Sequence, residues 1–194
     1  MDTLVLTHGA GSNRDAPLLI AVDRAFASNG LRVVRIDLPF RERRQHGPPF
    51  RGEASADRAG LRAHVMKARE NAAGRVFLGG HSYGGRQATL LAAGEPGLVD
   101  ALLLLSYPLH PPRHSGDLRT AHFPALRTPA LFVHGNRDPF GTIEEIRAAT
   151  SLIPAPVCLV ECAGAGHDLR TKKSESLDAA AERIASEFLL FTKW

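Results

Sequence analysis

Three short clusters of glycine, serine, aspartate and histidine in this chain have the composition that nucleophilic catalysis needs. The first is Gly79-Gly80-His81-Ser82-Tyr83-Gly84-Gly85. It contains Gly-x-Ser-x-Gly at positions 80, 82 and 84, a pattern that turns sharply from strand to helix and holds the serine in a strained conformation. Side chains at the flanking glycines would collide with neighbouring chain. Ten serines and 18 glycines among 194 residues predict about 0.1 such match by chance, so the pattern carries information. A turn that merely packs a helix on a sheet is the plainer alternative. A phosphate-binding loop is another, but it requires Lys-Ser or Lys-Thr where this chain has Arg86-Gln87.

A serine hydroxyl is a poor nucleophile until a base takes its proton and a third group orients that base. Two downstream clusters supply candidates: Gly135-Asn136-Arg137-Asp138-Pro139-Phe140, and Ala163-Gly164-Ala165-Gly166-His167-Asp168. Ser82, Asp138 and His167 follow in the chain order Ser, Asp, His that a strand-to-helix nucleophile turn requires. Asp168 competes with Asp138 for the role of acid. It ranks lower because neighbouring side chains on one loop seldom face each other. The developing oxyanion needs two preorganised N–H donors. One is Tyr83, which follows the nucleophile, and the other is Ala10 or Gly11 in the turn His8-Gly9-Ala10-Gly11-Ser12.

The elements that must carry these clusters alternate. Strands are expected at 3–7, 31–36, 75–78, 101–105, 130–134 and 157–161, from short apolar and β-branched runs ending at glycine or polar residues. Helices are expected at 16–28, 55–73, 84–93 and 176–191, from apolar residues at helical spacing, and one more begins where Thr142 and Glu145 are spaced as a capping box. Residues 38–52 and 107–128, rich in proline, arginine or glycine, read as irregular. The alternation implies an α/β three-layer sandwich: a mostly parallel six-stranded sheet with helices on both faces, in one domain over residues 1–194. In such sheets reactive groups gather beyond the carboxyl ends of the strands, where all three clusters fall.

Composition excludes other classes. The net charge of +4 has its densest basic patch at Arg41, Arg43 and Arg44, interrupted by Glu42 and without interleaved aromatics. That is no nucleic-acid reader, and a solvated loop or a site for an anionic substrate fits better. His110, His114 and His122 lack the spacing of a tetrahedral metal set, so neither metal nor cofactor is expected. Cys158 and Cys162, four positions apart in a strand, lie too far apart to bridge each other. With no leader pattern at the first residues and no run long enough to cross a bilayer, a cytoplasmic protein with no membrane partner is expected. Tyr107, His110 and Phe40 are the candidate substrate contacts, with Arg14 and Arg86 as possible neighbours, although an arginine on the helix after the nucleophile more often pairs with a carboxylate.

With these residues assembled, the chain resembles the α/β-hydrolases, and among them the small group related to dienelactone hydrolases. The likeness runs over nearly the whole length: His-Gly-Ala-Gly-Ser after the first strand, Gly-Gly-His-Ser-Tyr-Gly-Gly at the turn, Ser106-Tyr107-Pro108-Leu109-His110-Pro111-Pro112 after the fourth strand, Gly-Asn-Arg-Asp-Pro-Phe-Gly, and Gly-His-Asp. The resemblance implies a truncated α/β-hydrolase fold without the first two strands of the superfamily and without a cap domain. Dienelactone hydrolases carry cysteine where this chain has Ser82, so their substrate is not carried over. The expected activity is cleavage of a small ester, thioester or amide through an acyl-enzyme on Ser82. Acyl transfer by the same residues, and a non-catalytic interaction module on the same fold, are the alternatives.

Overall fold

In the computed structural model, which describes residues 1–193 and leaves Trp194 outside, the apolar runs become strands β1 (Thr3–Thr7), β2 (Arg32–Ile36), β3 (Val76–His81), β4 (Leu102–Leu105), β5 (Ala130–Gly135) and β6 (Val157–Cys162). The helices are α1 (Pro17–Ser28), α2 (Pro39–Arg43), α3 (Ala54–Asn71), α4 (Tyr83–Gly94), α5 (Ile143–Thr150) and α6 (Asp178–Phe191). All five strand pairings are parallel, in the order β2-β1-β3-β4-β5-β6. The sheet is thus wholly parallel, where the alternation required only a mostly parallel one.

Alternation along each strand builds two cores. Leu4, Leu6, Phe77, Leu103 and Leu105 point to one face and pack with Leu19, Phe26, Ile184 and Phe188 of α1 and α6. Val5, Leu78, Leu102 and Leu104 point to the other and pack with Leu61, Val65, Ala88 and Ile146 of α3, α4 and α5. Leu102, Leu103, Leu104 and Leu105 are wholly buried. A strand covered on both faces has no solvent side, so it reads as unbroken apolar sequence. Each such leucine stabilises the fold by about 1.5–3 kcal/mol relative to an exposed one.

The strand order reverses direction at one place. The chain steps outward from β1 to β2, then returns to lay β3 on the opposite side of β1. The turns that leave β1 and β3 therefore diverge to opposite faces and leave a crevice between them. His8–Ser12 and Ser82 border it.

One of the two stretches expected to be irregular differs from expectation. Within 38–52 lies α2, which opens with Pro39 at its first position, where the missing N–H costs nothing. The stretch 107–128 contains only a 3-10 turn at Phe123–Ala125. The expected capping box forms: Glu145 N–H donates to Thr142 Oγ1 at 3.2 Å and Thr142 N–H to Glu145 Oε2 at 2.8 Å. Among the described residues no helix is long and apolar enough to cross a membrane, and Cys158 and Cys162 are free thiols.

Candidate active site

Ser82 joins β3 to α4 with φ 51° and ψ −116°, a conformation that L-residues rarely adopt. Packing enforces it. A Cβ on Gly80 would stand 2.5 Å from the backbone of Gly84 and Gly85, and one on Gly84 would stand 2.5 Å from the His8 carbonyl. Only glycine at both positions lets the chain reverse this tightly beside β1. The hydroxyl is thereby presented at the N-terminus of α4, in the crevice.

His167 and Asp138 arrive from the loops beyond β6 and β5. Asp138 is an acceptor only, so His167 Nδ1–H donates to its Oδ2 at 2.8 Å, and the free lone pair on Nε2 accepts from Ser82 Oγ, also at 2.8 Å. The Asp138 carboxylate has no exposed surface, and its second oxygen accepts Phe140 N–H at 2.9 Å. Phe140 lies over the imidazole with ring centroids 4.4 Å apart. On the other side, His81 Nε2–H donates to the His167 carbonyl at 2.8 Å. Burial, then the proximity of His167, lowers the His81 pKa to about 4, so His81 stays neutral while fixing the loop. Asp168, the rival acid, is turned outward, where its Oδ1 accepts Arg170 N–H at 3.2 Å.

The turn after β1 is anchored through its carbonyls. The Gly9 carbonyl accepts His8 Nδ1–H at 2.8 Å and Ser12 N–H at 3.2 Å, and the Ala10 carbonyl accepts Arg41 Nη2–H at 2.9 Å. In a trans peptide the following N–H points the opposite way. The N–H of Ala10 is therefore aimed away from His8 and that of Gly11 away from Arg41, and neither meets a backbone acceptor among the described residues. Both residues line the hollow that contains Ser82. Tyr83 N–H, in the first turn of α4, has no intrahelical partner.

Arg41 was the residue composition placed in a basic patch open to solvent or to an anion. It is instead 6% exposed, and its guanidinium donates to the carbonyls of Ala10, Ser12, Arg44 and Gly47. Arg43 and Arg44 pair with Glu53.

Two open hollows, of about 310 and 330 Å³, meet at Ser82. The first is walled by Gly9–Ser12, His81, Phe140 and His167. The second is walled by Ala10, Tyr83, Arg86, Pro108, Arg119 and Phe140. None of the three expected substrate contacts is on either wall. Tyr107 is 1% exposed, and its hydroxyl donates to the Arg119 carbonyl at 2.7 Å. Phe40 is wholly buried, edge-on to Tyr83 and His8. His110 lies beside Glu145, and its backbone N–H holds the Phe140 carbonyl. Each supports a wall residue from one layer below. Strand and helix periodicity does not reach into the loops, so it could not say which side chains surface there. Arg14 lies away from these hollows, paired with Asp37. Among the described residues no three His, Cys, Asp or Glu side chains converge as a metal site.

Solved structures with the same architecture include dienelactone hydrolase from Anabaena variabilis (22% identity, TM-score 0.76, covering 98% of this chain and 86% of that one). Est1E from Butyrivibrio proteoclasticus, solved with ferulic acid bound, aligns at 19% identity and TM-score 0.77 over 98% of this chain and 89% of its own. An α/β-superfamily protein from Xanthomonas campestris pv. campestris aligns at 25% identity and TM-score 0.66 over 97% and 98%. These likenesses concern the fold. The model of the alpha/beta hydrolase domain family matches residues 1–192, and the chain belongs to that family.

Proposed function

We propose that this protein is a serine hydrolase that cleaves a small ester, thioester or amide through an acyl-enzyme on Ser82. The observation that carries the reading is the continuous relay from Asp138 through His167 to Ser82, with both bonds at 2.8 Å. His167 takes the serine proton as Oγ attacks the carbonyl carbon. Asp138 holds the ring in the tautomer that leaves Nε2 free and stabilises the imidazolium that forms. The carbonyl oxygen, now negative, is received by the N–H of Tyr83 and that of Ala10 or Gly11, fixed in advance by the anchored carbonyls on the far side of each peptide. The imidazolium protonates the leaving group, and water, activated by the same imidazole, releases the acid. No step requires a cofactor.

The test is covalent labelling by a fluorophosphonate probe, comparing wild type with Ser82→Ala. Labelling of the wild type alone is expected, together with faster turnover of short-chain than of long-chain p-nitrophenyl esters, because the hollows have no enclosing cap. An unlabelled wild type would overturn the reading in favour of a non-catalytic module.

A further inference from the structure

The two hollows at Ser82 are not equivalent. The leaving group must lie beside His167, which gives it a proton, so the hollow containing His167 takes the alcohol half of an ester. The acyl half then extends into the other hollow, along Tyr83, Arg86, Pro108 and Arg119.

That second hollow carries two cations without counter-charges. Neither Arg86 nor Arg119 forms an ion pair with a carboxylate among the described residues. Arg86 Nε–H is buried and has no hydrogen-bond partner among the described residues. Arg119 reaches only the Pro108 carbonyl, at 3.3 Å. Burial and the Arg86 charge pull the Arg119 pKa below its ordinary value, so the two guanidiniums feel each other. Asp117, the carboxylate that acts on Arg119, faces solvent and does not offset burial and the Arg86 charge. The fold holds them in place: Arg86 lies one turn along α4 from Ser82, and the Tyr107 hydroxyl fixes the Arg119 carbonyl. Two guanidiniums on the wall of one hollow, neither spent on a carboxylate of the protein, match the flat, bidentate face of a carboxylate.

We infer that the hollow walled by Arg86 and Arg119 binds a carboxylate at the far end of the acyl chain, so that the preferred substrates are half-esters of short dicarboxylic acids. This rests on the hydrolase reading above. The acyl–Oγ bond forms as the bond to the leaving oxygen breaks. That oxygen takes the imidazolium proton, and water displaces Ser82 to give an alcohol and a dicarboxylic acid.

Monophenyl esters of succinic, glutaric and adipic acid, set against phenyl butyrate, pentanoate and hexanoate, test it, with Ser82→Ala as background. The carboxylate-ended member of at least one pair should show a kcat/KM ten-fold or more above its neutral partner. Screening by about 0.5 M salt should cut that ratio several-fold. Arg86→Gln and Arg119→Gln should each lower it ten-fold or more, with folding checked by thermal melting. The wild-type ratio and its salt dependence decide the matter even where a variant fails to fold. Turnover of the neutral esters with no preference in any pair would overturn the inference and leave the hydrolase reading standing. Probe labelling without turnover of either series would overturn the inference too. Absence of both labelling and turnover would remove the hydrolase reading and the inference with it.

Discussion

Asp138 gives each carboxylate oxygen one donor, Phe140 N–H and His167 Nδ1–H, in a position with no exposed surface. A carboxylate held this way keeps one geometry and loses little to solvent, which is what an orienting acid requires. Asp168 has neither property, since its side chain is 55% exposed and its nearest partners belong to Arg170. Asp138→Asn should therefore lower kcat by about 10³–10⁴ with little change in melting temperature, because the amide oxygen can still accept Phe140 N–H while the imidazole loses its tautomer. Asp168→Asn should change kcat by less than about two-fold. Steady-state kinetics on one p-nitrophenyl ester checks both, and the reverse pattern would make Asp168 the acid. The choice between the two could be argued from the sequence through chain order and adjacency. The surroundings of the imidazole could not, because His81 and Phe140 reach His167 by directions that spacing does not encode.

At the scale of elements, the alternation of apolar runs located all six strands, since burial on both faces or on alternate positions leaves a direct trace in sequence. Helix α2 left a weaker one, because its five residues include Pro39 and three charges and bury only Phe40 and Arg41. Its contribution lies in aiming Arg41 back under the turn after β1. Four carbonyls converge on one buried guanidinium there, and a lysine, with a single nitrogen, cannot serve them all. Arg41→Lys should lower kcat by about ten-fold or more while leaving KM within a few-fold, because a loosened turn weakens donors that matter most once charge has developed on the substrate oxygen. Equal loss in kcat and KM, or none, would show that the turn holds itself.

Across the whole molecule, four imidazoles are kept neutral chiefly by burial: His8, His81, His122 and His134, with His81 and His122 lowered to about 4. In the unfolded chain each titrates near 6.5. Between about pH 4 and 6.5 the unfolded state thus binds more protons, so stability is fully present above 6.5 and declines as the pH falls through that window. His122 lies away from the relay, with Nε2 against Thr89 Oγ1. His122→Gln should flatten the dependence of unfolding free energy on pH there by up to about 1.4 kcal/mol per pH unit. Urea titrations at pH 5 and pH 7 measure the difference, and an unchanged slope would mean that His122 protonates freely in the fold.

The walls of the two hollows have only Ala10, Ser82 and Phe140 in common. Apart from His81 and Tyr83, which flank Ser82 in one turn, their remaining residues come from separate segments, so on the proposed assignment of the hollows substitutions that reshape the acid portion of a substrate need not disturb the alcohol portion. Selectivity on the two sides of the scissile bond can consequently drift, or be redesigned, one side at a time, with the reacting groups and the sheet beneath them left alone.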